Sequence, residues 1–127
     1  KPLLFGRRDG CLVFGLPGNP LSALTDFLVF VLPAIRKMTG LPGAGLPEVR
    51  ARLTETIHQK PGRTWYRLVR IGLVGGRFEA TPVRSTGSGD LVSAVRANGF
   101  AIVPAEAASV AAGDEVRALL WPGVELS

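Results

Sequence analysis

The spacing of apolar and polar positions changes character twice along this chain. Residues 2–17, "PLLFGRRDGCLVFGLP", hold two short apolar runs on either side of Arg7-Arg8-Asp9-Gly10. Asp-Gly is a strong pair for a two-residue turn, so the segment reads as a β-hairpin. Leu12, Val13 and Phe14 follow one another without a polar break, as expected of a strand buried on both faces. From Pro20 to Thr39 the period becomes helical. Leu21, Leu24, Leu28, Val31, Ile35 and Met38 recur three or four residues apart, and Phe27 broadens the stripe. Arg36 and Lys37 suit a helix C-terminus and Gly40 suits the position after it. Pro33 is expected to kink the helix or restart it. Such a helix is apolar nearly all round, so it calls for cover on both faces from more chain or from a second copy.

"LPGAGLPEV", residues 41–49, holds two prolines and two glycines and reads as a linker. A domain boundary is expected near Leu46, dividing 1–46 from 47–127. Beyond it the period falls to two. "VRARLTETI" alternates Val49, Ala51 and Leu53 with Arg50, Arg52 and Thr54. "TWYRLVRIGLV" and "RFEATPV" flank Gly75-Gly76, a second hairpin signal. "FAIVPA" and "DEVRALLW" complete five strands at short spacing, which is the pattern of a small barrel or sandwich. One short helix is expected near 89–96, capped by Ser88 or Asp90 and closed by Asn98-Gly99. The fold class is therefore mainly β, a five- or six-stranded, mostly antiparallel unit preceded by a hairpin and a helix.

Charge adds little to this. The 127 residues carry +5 at pH 7. Residues 1–46 hold five basic and two acidic side chains, and 47–127 hold ten and eight. Neither part is a basic tail, so an anionic ligand is favoured and nucleic acid is not. The aromatics Trp65, Tyr66, Phe78, Phe100 and Trp121 are not interleaved with basic residues beyond "RTWYR", which also argues against an RNA-stacking barrel. The single cysteine, Cys11, sits among apolar residues and is expected to be a buried structural thiol. The apolar stretch 21–35 is broken by Ser22, Thr25, Asp26 and Pro33. No membrane association and a cytoplasmic location are expected.

Candidate chemistry is sparse. The chain has one histidine, His58, expected at the surface near a turn, and the sequence holds no metal-ligand spacing and no catalytic triad. No catalytic residue and no metal ligand is assigned. Three places suit an anion. Lys1-Pro2 sets a cation beside a rigid residue. "GLPGNPLSAL" sets Pro17, Gly18, Asn19 and Pro20 at a helix start, which is either a plain strand-to-helix connection or an anion site on free amides. "STGSGD", residues 85–90, offers hydroxyls and small residues, and is either a turn with Ser88 as N-cap or a nest for an oxyanion. Arg63, Arg67 and Arg70 lie nearby in sequence, either as a solvated strand face or as grips for an oxyanion.

Taken together, "KPLLFG", "GLPGNPLSAL", "TGSGDLVSAVRANGFAIVPAE" and "AAGDEV" resemble the C-terminal part of the MoeA family of molybdopterin molybdenumtransferases, which is related to the gephyrin E domain. The likeness covers essentially the whole chain. It implies that residues 1–46 end an α/β molybdopterin-binding domain and that 47–127 form a C-terminal domain, a small five- or six-stranded antiparallel β-barrel. It implies a transferase of molybdenum cofactor biosynthesis, in which adenylylated molybdopterin (molybdopterin-AMP) and molybdate give molybdenum cofactor and AMP. Lys1 and Pro2 resemble the end of the family's Lys-Pro-Gly-Lys-Pro motif and would border the molybdate with Ser88. Pro17, Gly18, Asn19 and Pro20 would shape the pterin-nucleotide pocket. The arginine expected on the second barrel strand aligns with Leu68, between Arg67 and Arg70, and Arg67 is favoured. Mg2+ ligands are expected upstream of this chain, so the chain alone is expected to be an inactive fragment. A homodimer and partner proteins of the same biosynthesis are implied. The alternative function is a non-catalytic barrel for dimerisation or protein interaction.

Overall fold

Two compact units make up the chain, one centred on residues 3–46 and one on 47–84 and 92–124. The computed structural model describes residues 3–84, 91–124 and 126.

In the first unit, β1 (Leu4–Arg8) and β2 (Cys11–Gly15) form an antiparallel hairpin in which Arg8 pairs with Cys11. Asp9 and Gly10 take φ of 49° and 79°, the two positive values that a tight primed turn needs. Phe5 and Phe14 face each other across the hairpin with ring centroids 5.0 Å apart. The expected double-sided burial is not observed. Val13 is 50% exposed, Leu12 is exposed, and Cys11 is an exposed thiol and not a buried one. A two-stranded sheet has no further layer of its own, so apolar residues on its open face stay in water.

The helix then runs in three parts: α1 (Pro20–Asp26), a π-turn over Phe27–Val31, and α2 (Leu32–Met38). Leu32 donates its amide to the Phe27 carbonyl, five residues back. The α-helix restarts at Leu32 with Pro33 in its first turn, where a missing amide costs nothing. Leu28 is buried, whereas Phe27, Phe30, Ile35 and Met38 are exposed, so the helix lacks cover on much of its apolar surface.

The second unit is a closed barrel in the order β3-β6-β5-β7-β9, built from β3 (Glu48–Leu53), β5 (Trp65–Val74), β6 (Arg77–Pro82), β7 (Gly99–Val103) and β9 (Glu115–Leu120). Two short strands, β4 (Ile57–His58) and β8 (Ser109–Val110), form a separate pair, so the "VRARLTETI" strand stops at Leu53 and resumes only at Ile57. Four of the five barrel pairings are antiparallel. The pairing of β3 with β6 is parallel, a departure from the antiparallel expectation that arises where the barrel closes on its first strand. Gly75 and Gly76, with φ of 58° and 78°, turn β5 into β6. The short helix α3 (Leu91–Arg96) precedes β7.

Period-two alternation decides the core. Ala51, Leu53, Val69, Ile71, Ala80, Ala101, Val103, Val116 and Ala118 are buried inside. Four strands each contribute an alanine, because five strands enclose a narrow lumen that cannot hold large side chains in every layer. Asn98 completes the closure. Its Nδ2 donates to the Ile71 carbonyl at 2.8 Å and its Oδ1 accepts from the Ile71 amide at 2.6 Å. The buried side chain thus stands in for a strand partner just beyond the Val69–Gly99 pair. Gly99 is required by crowding and not by a positive φ, since a Cβ there would collide with the Leu119 carbonyl oxygen.

Candidate functional site

The inward alternation of β5 runs Ile71, Val69, Arg67 and Trp65 toward one end of the barrel. Apolar side chains fill the interior, so the position where the alternation turns to arginine marks the point where the core ends. Arg67 is half-buried there, and its guanidinium lies over the Trp65 ring, 5.1 Å from the centroid. This is a cation–π geometry, which holds the guanidinium plane in place. The Arg67 Nε is buried and has no hydrogen-bond partner among the described residues. Burial pushes the guanidinium pKa below its ordinary value, and the nearby Glu55 carboxylate opposes that shift.

Two further charged residues complete this end. Glu55 lies in the bend two residues past β3 and is exposed. Continuing the β5–β6 register from Val69–Pro82 by two residues sets Arg84 opposite Arg67, and the Val83 amide bonds the Leu68 carbonyl at 3.0 Å on the way. Arg84 reaches Glu55 at 3.8 Å in an exposed contact that contributes little to stability. The Arg84 carbonyl accepts from Ser93 Oγ of α3 at 2.9 Å. On its outer side Trp65 lines an open groove of about 410 Å³ with His58, Gln59, Lys60 and Arg63. The barrel end thus offers several cations, one acid and an unpaired buried donor. That set can receive a compact oxyanion, because an acceptor at Arg67 Nε would satisfy a group that otherwise stays unsatisfied.

Strand parity separates the candidate arginines. Arg70 and Leu68 fall on the outer side of β5, where Leu68 pairs with Phe100 and the exposed Arg70 donates to the Arg96 carbonyl at 3.4 Å. Arg63 is exposed and precedes the strand. His58 is exposed at the end of β4. Lys1, Pro2 and Ser88 lie outside the described residues, as do the helix caps expected at Ser88 and Asp90.

The Pro17–Pro20 turn belongs to the first unit. Pro17 is buried, and Asn19 caps α1 by accepting from the Leu21 and Ser22 amides at 3.1 and 3.2 Å. The Ala23 amide bonds the Asn19 carbonyl at 2.8 Å, and Pro20 has no amide. The free amides expected for an anion at this helix start are therefore already used. What the turn supplies is shape: a rigid entry flanked by two prolines.

Glu55, Trp65 and Arg84 were not singled out by sequence. The signal for Trp65 was available only as the continuation of the inward series at 67, and it becomes readable once the strand pairings are known. Among the described residues no group of three or more His, Cys, Asp or Glu side chains converges. No helix among them is long and apolar enough to cross a membrane.

Residues 50–121 match the family model of the MoeA C-terminal region (domain IV). The chain is similar to a molybdopterin molybdenumtransferase of Nostoc, at 33% identity over 127 residues, 96% of this chain and 29% of that protein. It is 34% identical over 115 residues to molybdopterin molybdenumtransferase 2 of Mycobacterium tuberculosis, covering 88% of this chain and 27% of that protein. Gephyrin of Dictyostelium discoideum is 32% identical over 117 residues, 86% of this chain and 16% of gephyrin. A crystal structure of the molybdopterin biosynthesis MoeA protein from Pyrococcus horikoshii superposes with a TM-score of 0.78 at 33% identity, over 98% of this chain and 30% of that one. The chain thus spans less than a third of the length of these relatives.

Proposed function

The chain belongs to the MoeA C-terminal family, and from that membership we propose that it supplies the barrel side of an oxyanion and pterin-nucleotide site in a molybdopterin molybdenumtransferase. The reaction joins adenylylated molybdopterin and molybdate to give molybdenum cofactor, with AMP released. The observation that carries this reading is the buried Nε of Arg67 at the barrel end, unpartnered among the described residues. Arg67 holds the molybdate dianion and fixes its orientation, with the Trp65 ring keeping the guanidinium in one plane. The family resemblance further assigns Lys1, Pro2 and Ser88 to molybdate and Pro17, Gly18, Asn19 and Pro20 to the pterin nucleotide. Mg2+ would be held by residues outside this chain. Division of labour at a domain boundary near Leu46 is part of the same proposal, as is a cytoplasmic location.

Losing a hydrogen bond to a charged group costs about 1.5–3 kcal/mol, or roughly ten- to a hundredfold in binding. Arg67→Ala in the full-length protein is therefore expected to weaken molybdate binding by that factor, whereas Arg70→Ala leaves it unchanged. Equal losses in both variants would refute the assignment. The 127-residue chain alone is expected to give no conversion of adenylylated molybdopterin, and measurable turnover by it would refute the division of labour.

A second reading, self-association, is favoured by the uncovered apolar surface of the first unit, where Phe5, Phe30 and Met38 are 63%, 44% and 69% exposed. A second copy presenting the same surface would cover it, giving a homodimer.

A further inference from the structure

On the outside of the barrel a groove of about 570 Å³ is lined by Arg50, Arg52, Arg77, Phe78 and Glu115. It lies along the parallel β3–β6 pairing, where Ala51 meets Phe78. Arg50 and Arg52 are two residues apart on β3, so they leave the same outer face about 6.6 Å apart along the strand. One step back in the parallel register sets Arg77 beside Arg50.

The charges here are arranged against internal pairing. Arg117 stands directly opposite Arg50 on β9, a like-charge pair that weakens a sheet. Arg117 is satisfied elsewhere, donating to both Glu48 oxygens at 2.8 and 3.0 Å. Arg52 has Glu115 on one side and Glu79 on the other in register, yet forms no ion pair with either. Among the described residues Arg50, Arg52 and Arg77 are exposed and make no ion pair. Arg50 acts only at a distance on the Glu48 carboxylate, so among the described residues three exposed guanidinium forks keep donors open.

The spacing says what that is. Alternate side chains of an extended peptide repeat at the same 6.6 Å or so as alternate residues of β3. One carboxylate would meet Arg50 and Arg77 together, and the carboxylate two residues along would meet Arg52. The barrel is closed, and β3 already has β6 and β9 as neighbours, so a peptide here binds through side chains and not as an added strand. Glu115 bounds the groove beside Arg52 and disfavours a longer acidic run. We propose that this groove docks an extended acidic segment of a partner protein, with carboxylates at alternate positions. The proposal does not rest on the Arg67 site.

The test is fluorescence anisotropy at low ionic strength with two labelled peptides of equal composition. One alternates Glu and Thr, and the other carries its glutamates in a block. The alternating peptide is expected to bind about fivefold tighter, the size of one well-formed exposed ion pair. Arg52→Ala, and separately Arg50→Ala with Arg77→Ala, should each lower its affinity by about fivefold, whereas Arg63→Ala outside the groove stays within about twofold. The substituted arginines are exposed, so the far-UV spectrum and melting midpoint should not move. Equal affinity for the two peptides, equal loss in Arg63→Ala, displacement by inorganic phosphate at equimolar concentration, or no saturable binding would each overturn the proposal.

Discussion

Replacing Asn98 by alanine tests the closure of the barrel. The side chain makes two short hydrogen bonds to one buried residue, at 2.6 Å from the Ile71 amide and 2.8 Å to the Ile71 carbonyl. Ile71 is 2% exposed, so water cannot replace either partner without opening the barrel. Each buried polar group left unsatisfied costs about 1–3 kcal/mol, so the substitution is expected to cost roughly 2–6 kcal/mol. Small domains have about 5–15 kcal/mol in total. In a domain of about 60–100 residues each kcal/mol lowers the midpoint by about 4–8 °C, which places the loss at about 10 °C or more. The assay is urea unfolding followed by tryptophan emission, together with hydrogen exchange at the Ile71 amide. Asn98→Asp separates the two bonds, because an ionised carboxylate accepts from the amide but cannot donate to the carbonyl. A loss in Asn98→Ala below about 0.5 kcal/mol, within the range of an ordinary surface change, with Ile71 still protected, would refute the reasoning.

Other consequences follow from neighbouring features. Gly99→Ala should destabilise the barrel as severely as a core overpacking change, about 1–3 kcal/mol or more, because the obstructing Leu119 oxygen belongs to the backbone and the added Cβ would also lie 2.6 Å from Ile71 Cδ1; a midpoint equal to that of the parent would show that the sheet yields there. Hydrogen bonds from Arg117 hold the Glu48 carboxyl below the ordinary carboxylate range. Its contribution is therefore present above the unfolded carboxyl pKa and is lost as pH falls through the folded one, so Glu48→Gln should lower the midpoint near neutral pH and not in strong acid. Phe27→Glu, on the exposed apolar helix surface, should shift sedimentation toward monomer with the barrel still folded; a parent chain that is already monomeric, with residues 20–38 protected from exchange, would remove the case for self-association.

Strands, turns and the short helix were legible because each is set by local chemistry. Asp9-Gly10 and Gly75-Gly76 have few alternatives to a positive-φ turn, and the alternation at 49–53 and 115–120 can bury only one side of a strand. The helix restart at Pro33 follows from the missing amide. Other features depended on neighbours distant in sequence. Cys11, Leu12 and Val13 look like core residues, but burial requires a second layer, and the described hairpin has none of its own. The parallel β3–β6 pairing arises only when the barrel closes. Asn98-Gly99 reads as a helix stop, yet its value lies in reaching Ile71 and in letting β9 approach, contacts about 20–30 positions away that no local pattern encodes. The same holds at the barrel end. Sequence selected Arg67 but could not say that its Nε is buried without a partner among the described residues, or that Glu55, Trp65 and Arg84 surround it. Side-chain type and period are properties of the chain, whereas burial, register and the company a charge keeps are properties of the packed fold.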